Sequence, residues 1–223
     1  MQRFSADEIV EKMEATAVVP VFFHQDVEVA IEVLKNSYEA GIRVFEFTNR
    51  GSNALDVFSQ LVEVTKGLQG LVLGIGTIWS VEDAEKFMEA GADFVVSPGF
   101  VEEIGQSFSP KDVLWIPGCG SVTEVFNAHR MGARLIKIFP GNVLGPKFAA
   151  SVKSVLPSVK LMPTGGVKPT ANNLGEWFGS GVSCVGMGSQ LISKSLIAAG
   201  NFSEVQDEIS DALSLVKTIR QNV

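Results

Sequence analysis

A phrase that occurs four times governs what this chain can fold into. A small residue or Met is followed by glycine, two variable residues and an apolar run. The copies are AGIRVFEFTNRG at 40–51, AGADFVVSPGF at 90–100, MGARLIKIFPGN at 131–142 and SGVSCVGMGSQ at 180–190. Glycine in that place suits a helix C-terminus, where left-handed backbone is cheap only without a Cβ. Each copy therefore reads as the end of a helix followed at once by a strand. Four more apolar runs lie between the copies: VVPVFF at 18–23, LVLGIGT at 71–77, VLWIPG at 113–118 and VKLMPTGG at 159–166. Consecutive runs are separated by roughly 20 to 30 residues, room for a helix and two loops.

Eight such units predict a TIM (β/α)8 barrel, one domain over 1–223, with an extra N-terminal helix and a C-terminal helix. An open doubly wound sheet is the alternative, but the first turn lacks the GxGxxG of a dinucleotide site. Helix signals fill the gaps. DVEVAIEVLKNSYEAG gathers Val29, Val33 and Tyr38 with Ala30 and Leu34 on one side. Ser80 and Asp83 stand in capping positions, and Val205, Ile209, Leu213 and Val216 recur at helical spacing. Pro20 lies inside the first strand, where its missing N–H predicts a bulge or frayed pairing.

Composition narrows the class. The 223 residues are 46% hydrophobic and 19% charged, which suits a large core and argues against disorder. A net charge of −7 without a basic cluster speaks against nucleic acid as a partner. No apolar run approaches the roughly 20 residues that span a bilayer, so no membrane partner is expected. The N-terminal segment, with Ile9, Val10 and Met13 on one side, reads as an amphipathic helix rather than a signal peptide. Cys119 and Cys184 form no CxxC motif, which points to a reducing cytoplasm.

The repeat also aligns the strands. Five residues on from each glycine stand Glu46, Val96, Lys137 and Gly186, so an acid and an amine occupy equivalent places. Inward side chains of a barrel converge, which would aim both at one mouth. Arg50 follows where the second strand gives way to its loop, and Thr77 ends the third. A lysine among Leu135, Ile136, Ile138 and Phe139 needs a reason, because burying an ammonium is costly. One reason is a core lysine neutralised by Glu46. The other is chemical: desolvation and a nearby cation disfavour the ammonium, leaving an amine able to attack a ketone. The resulting iminium is an electron sink for C–C cleavage. Glu46 could then move protons, and Arg50 could hold a carboxylate through paired donors. PTGGV at 163–167 and GMGSQ at 186–190 follow the last two strands, the recurrent phosphate site of this fold. Helices are expected to open near Lys168 and Pro169 and around Ser189.

Read together, these residues resemble the 2-keto-3-deoxy-6-phosphogluconate (KDPG) and 4-hydroxy-2-oxoglutarate (KHG) aldolases. The likeness runs from VVPVFF to GMGSQLI through EFTNR, GIGT, VVSPG, IPG, IKIFP and PTGG. It implies a class I aldolase that reversibly releases pyruvate and an aldehyde, glyceraldehyde 3-phosphate or glyoxylate, with no cofactor and no metal. It assigns the Schiff base to Lys137, acid–base work to Glu46 and the pyruvate carboxylate to Arg50 and Thr77. Phe139 packs on the pyruvyl unit. Pro98, Thr164, Gly165, Gly166, Gly188 and Ser189 complete the substrate site, the threonine, the PTGG glycines and the serine at its phosphate and acceptor end. A homotrimer is also implied. Gly51, Trp79 and Gln190 depart from the common pattern, which bears mainly on the choice of acceptor; Trp79 either caps the barrel or narrows its mouth.

Alternatives are a phosphogalactonate-specific aldolase of the same family and a non-catalytic phosphate-binding barrel. A metal-dependent aldolase on this fold lacks a carboxylate cluster. His24 and His129 are solitary, with no ligand spacing for zinc. Ser97 sits in no GxSxG elbow. Cys119, after the fifth strand, is expected near the mouth, as an inert thiol.

Overall fold

The computed structural model describes residues 3–221. All eight apolar runs become strands, nine in all because the run 113–118 supplies two. They are β1 Val18–Phe22, β2 Val44–Thr48, β3 Val72–Gly76, β4 Phe94–Val96, β5 Leu114–Ile116, β6 Gly118–Cys119, β7 Ile136–Ile138, β8 Leu161–Pro163 and β9 Val185–Met187. Every pairing between them is parallel, as helical crossovers require.

The strands form a six-stranded sheet in the order β5-β4-β3-β2-β1-β9 and a three-stranded sheet in the order β6-β7-β8. The hydrogen-bonded ladder is thus interrupted at two seams, β5 to β6 and β8 to β9. The interruption has a local cause at one seam. The run 113–118 is divided at Pro117, which has no N–H to donate, so β5 pairs with β4 and β6 with β7. At the other seam β8 reaches β9 through a single parallel bridge, Thr164 to Gly186, and the Ser183 N–H donates to the Leu161 carbonyl at 2.9 Å. Pro20 breaks nothing. β1 is unbroken, pairing with β9 as far as Pro20 and with β2 from Val21 onward.

Alternation divides the core in two. Val19, Val44, Val72, Phe94, Leu114, Leu135, Met162 and Cys184 pack together on the inner face of the curved sheet. Their outward neighbours pack against the surrounding helices. The helix Ala6–Thr16 adds Ala6, Ile9, Val10 and Met13 to the inner cluster and so closes its N-terminal end. A capping box between Ser5 and Glu8 fixes its start. The helix Phe202–Arg220 lies against the helices Val27–Glu39 and Ala171–Gly179, joining the end of the chain to its beginning. It buries Val205, Ile209, Ala212 and Val216. Leu213 is only half-buried, because a 3.6-residue period turns Ala212 inward instead.

The four repeat glycines, Gly41, Gly91, Gly132 and Gly181, have φ of +114°, +105°, +86° and +84°. Side-chain-bearing residues rarely adopt such backbone, and here it ends a helix and releases a strand within three or four residues. Ser80 accepts the Asp83 N–H at 3.1 Å, starting the helix Val81–Glu89. Among the described residues, no helix is long and apolar enough to cross a membrane.

Candidate active site

Leu135 and Val44 belong to the inner cluster, so residues two further along each strand face the same way. Those residues are Lys137 and Glu46. The Lys137 ammonium nitrogen lies 3.2 Å from Glu46 Oε1 and 3.5 Å from Oε2. Both residues are buried, at 4% and 0% exposure. The pair reaches from the three-stranded sheet to the six-stranded one, across the interior. Room for it comes from Gly76 on β3, since a Cβ there would overlap the Glu46 carboxylate. Nothing in the repeat had flagged Gly76. The available signal was that it follows Gly74 by two, on the inner-facing period.

Phe139 takes the next inward place on the chain after β7, with its ring centroid 5.7 Å from the Lys137 nitrogen. The loop after β8 closes over it. The Gly141 N–H donates to the Thr164 carbonyl at 2.8 Å, and the Thr164 N–H to the Ile138 carbonyl at 3.0 Å. Thr164 Oγ1 is buried without a hydrogen-bond partner and faces Gly186, where a Cβ would strike it. An orphaned buried hydroxyl is costly and rare in native proteins. It lies two residues beyond Met162 of the inner cluster, so it shares the facing of that cluster.

The other expected residues stand at the C-terminal ends of strands, at varying remove from the pair. Thr77 follows β3 half-buried with φ +64°, a conformation unusual for a β-branched residue and typical of functional strain. Pro98 follows β4, and its carbonyl crowds Gly118, where a Cβ would overlap it. Gly165 and Gly166 lie beside Asn142, at the start of the helix Gly141–Val155. Arg50 is exposed and forms no ion pair with Glu46, whose carboxylate is paired with Lys137. It lines a cavity of about 630 Å³ with Ser189, just past Gly188. Phe23, His24 and Lys194 line the same cavity. Sequence spacing carried no sign of that grouping, because only the fold brings the loops after β1, β2 and β9 together.

Several expectations need correction. The helix after β8 begins at Ala171 rather than near Lys168, and the one after β9 at Lys194 rather than around Ser189. The reason after β9 is a tight turn in which Leu191 and Ile192 both donate to the Gly188 carbonyl. Cys119 is not at the mouth. Gly118 faces inward, so Cys119 faces the helices and is buried, and burial aided by the Glu124 charge pushes its thiol up to about 12. Burial also pushes the Cys184 thiol up. Both cysteines are free. Ser97 is structural, accepting the Trp115 indole N–H at 3.0 Å within the core. Trp79 is 60% exposed, its ring edge near Gly99.

This arrangement can form a covalent imine: a buried amine, an adjoining proton carrier and open loops for the rest of a substrate. Comparison with known proteins agrees. The profile of the KDPG and KHG aldolases matches residues 9–208. The chain belongs to the KDPG and KHG aldolase family. Among its relatives, the 2-dehydro-3-deoxy-phosphogluconate aldolase of Treponema pallidum is 32% identical over 209 residues, covering 93% of this chain and 97% of that protein. The KHG/KDPG aldolase of Escherichia coli K12 is 28% identical, covering 90% and 92%. A solved KDPG aldolase from Legionella pneumophila superposes with TM-score 0.84 at 27% identity, covering 92% of this chain and 97% of that one. It holds pyruvate captured at low pH as a covalent carbinolamine intermediate.

Proposed function

We propose that the protein is a class I aldolase that cleaves KDPG or KHG to pyruvate and an aldehyde through a Schiff base on Lys137. The observation that carries this reading is the buried Lys137–Glu46 pair at 3.2 Å on the inner face of the sheet. The amine attacks the substrate's C2 ketone to give a carbinolamine, and loss of water gives an iminium. Glu46 takes the proton from the C4 hydroxyl as the C3–C4 bond breaks. The bonding electrons pass into the iminium, and the aldehyde leaves. Glu46 returns the proton to the enamine carbon, and water then releases pyruvate, regenerating the amine. Contact with the amine is what qualifies Glu46 for both transfers.

Arg50 and Thr77 hold the pyruvate carboxylate, and Phe139 packs on the pyruvyl group. Thr164, Gly165, Gly166, Gly188 and Ser189 receive the acceptor end, with Pro98 as a wall. The unpartnered Thr164 hydroxyl supports that assignment. We also read the two sheets as one closed (β/α)8 barrel, supported by the Thr164–Gly186 bridge and by the ion pair crossing the interior. A homotrimer and a cytoplasmic setting belong to the same reading, the latter supported by two free buried thiols.

Pyruvate release tests the assignment. Wild-type protein should release pyruvate from at least one of KDPG, its galactonate counterpart and 4-hydroxy-2-oxoglutarate, and Lys137→Met from none. No pyruvate from any of the three would sink it.

A further inference from the structure

Gly51, the residue after Arg50, has no left-handed backbone, so no turn requires a glycine there. Space does. A Cβ at 51 would overlap Phe23 Cζ and lie 3.2 Å from both Cε atoms, so the ring points its tip at bare backbone. Phe23 is half-buried and held from behind. Its ring centroid lies 5.6 Å from that of Phe47, fully buried on β2, and Phe47 lies 6.3 Å from Phe58 of the helix Ala54–Thr65. A second tie joins the same two loops, since Asn53 Nδ2 donates to the Gln25 carbonyl at 2.8 Å. On the strand side of Arg50, the Asn49 N–H donates to the Gly76 carbonyl at 2.9 Å and the Arg50 N–H to the Thr48 carbonyl at 3.0 Å. The backbone at Arg50 is thus gripped from both directions. Its side chain is not: among the described residues, the guanidinium has neither an ion-pair nor a hydrogen-bond partner.

We propose that Phe23 is a positioning residue for Arg50: its ring, wedged between Phe47 and the bare Gly51, fixes the backbone from which the guanidinium reaches the substrate carboxylate. This deepens the aldolase reading and rests on its assignment of Arg50. A carboxylate paired with the guanidinium would hold it more directly, but would compete with the substrate for its donors. A ring pressed on the neighbouring backbone aims the side chain and leaves all five N–H donors free.

The test is a double-mutant cycle of Phe23→Val with Arg50→Gln. The readout is the pyruvate concentration that gives half-maximal borohydride-trapped adduct on Lys137, with hydrogen exchange of the amides at 49–53 followed in parallel. Phe23→Val should raise that concentration about tenfold, as for one charge-assisted contact, and leave the maximal yield of adduct unchanged. In the Arg50→Gln background it should add nothing further, and the 49–53 amides should exchange several-fold faster than in wild type. Gly51→Ser in the Phe23→Val background refills the space and should recover most of the affinity. Gly51→Ser alone, which displaces the ring from the opposite side, is read in the same cycle and serves if Phe23→Val does not fold. Unchanged half-saturation in both single variants, or losses that multiply with that of Arg50→Gln, would overturn the assignment. Failure of the aldolase reading has a separate signature, wild-type protein that traps no pyruvate on Lys137, and hydrogen exchange still reads the Phe23 brace in that event.

Discussion

Replacing Gly76 with alanine probes the site without touching a reacting group. The new Cβ would lie 2.8 Å from Glu46 Cδ and 3.0 Å from Cγ, and it would overlap Oε1 outright. Ordinary contact between such atoms begins at about 3.5 Å, so the carboxylate has to retreat by on the order of 1 Å. A side chain at the surface would swing aside at little cost. Glu46 is fully buried and bound to Lys137, so its retreat must lengthen the 3.2 Å hydrogen bond or crowd the interior. Overpacking of this kind costs about 1–3 kcal/mol of stability. A misplacement of about 1 Å at a proton carrier costs roughly 100-fold in turnover. Denaturant unfolding and kcat measure the two effects separately. Glu46→Asp in the Gly76→Ala background shortens the acid by one methylene and should recover stability but not turnover. A Gly76→Ala enzyme with wild-type kcat and stability would refute the reasoning, because the carboxylate would then not be held against β3.

Three further outcomes follow from the same geometry. Lys137→Met strands a buried carboxylate and should cost about 3–5 kcal/mol in denaturant unfolding. Adding Glu46→Gln should restore much of that stability and none of the activity. The Cys119 thiol, raised to about 12 when folded from 9.0, should resist alkylation by iodoacetamide at neutral pH in native protein and react on unfolding. The unfolded chain releases that proton first, so the stability associated with it is complete below pH 9 and falls as pH rises from there toward 12, which pH-dependent unfolding would register. Gly51→Ser should weaken substrate binding several-fold, since the Phe23 ring occupies the space of a side chain at 51, and Phe23→Val should reverse the loss.

The repeat made much of the fold legible because it encodes two local necessities, a glycine that ends a helix and an apolar strand after it. Positions counted from those glycines put Glu46 and Lys137 in register, and alternation put both on the inner face. The division of the sheet at Pro117 was less visible, since proline in a strand predicts trouble at 20 and 117 alike. Only at 117 does the ladder change sheets. Cys119 was misplaced because its facing depends on Gly118 being the inward residue, and a glycine gives no hydrophobic sign of its orientation. The grouping of Phe23, His24, Arg50, Ser189 and Lys194 was illegible for a plainer reason. These residues lie on three loops, and loop proximity follows from the curvature of the whole sheet rather than from any local pattern.

Borohydride reduction in the presence of pyruvate, followed by peptide mass spectrometry, tests the central claim most directly. The account predicts a carboxyethyl group on the Lys137 nitrogen and on no other lysine, dependent on pyruvate and absent from Lys137→Met. Unmodified Lys137 in protein that still releases pyruvate, or the adduct on a different lysine, would contradict it.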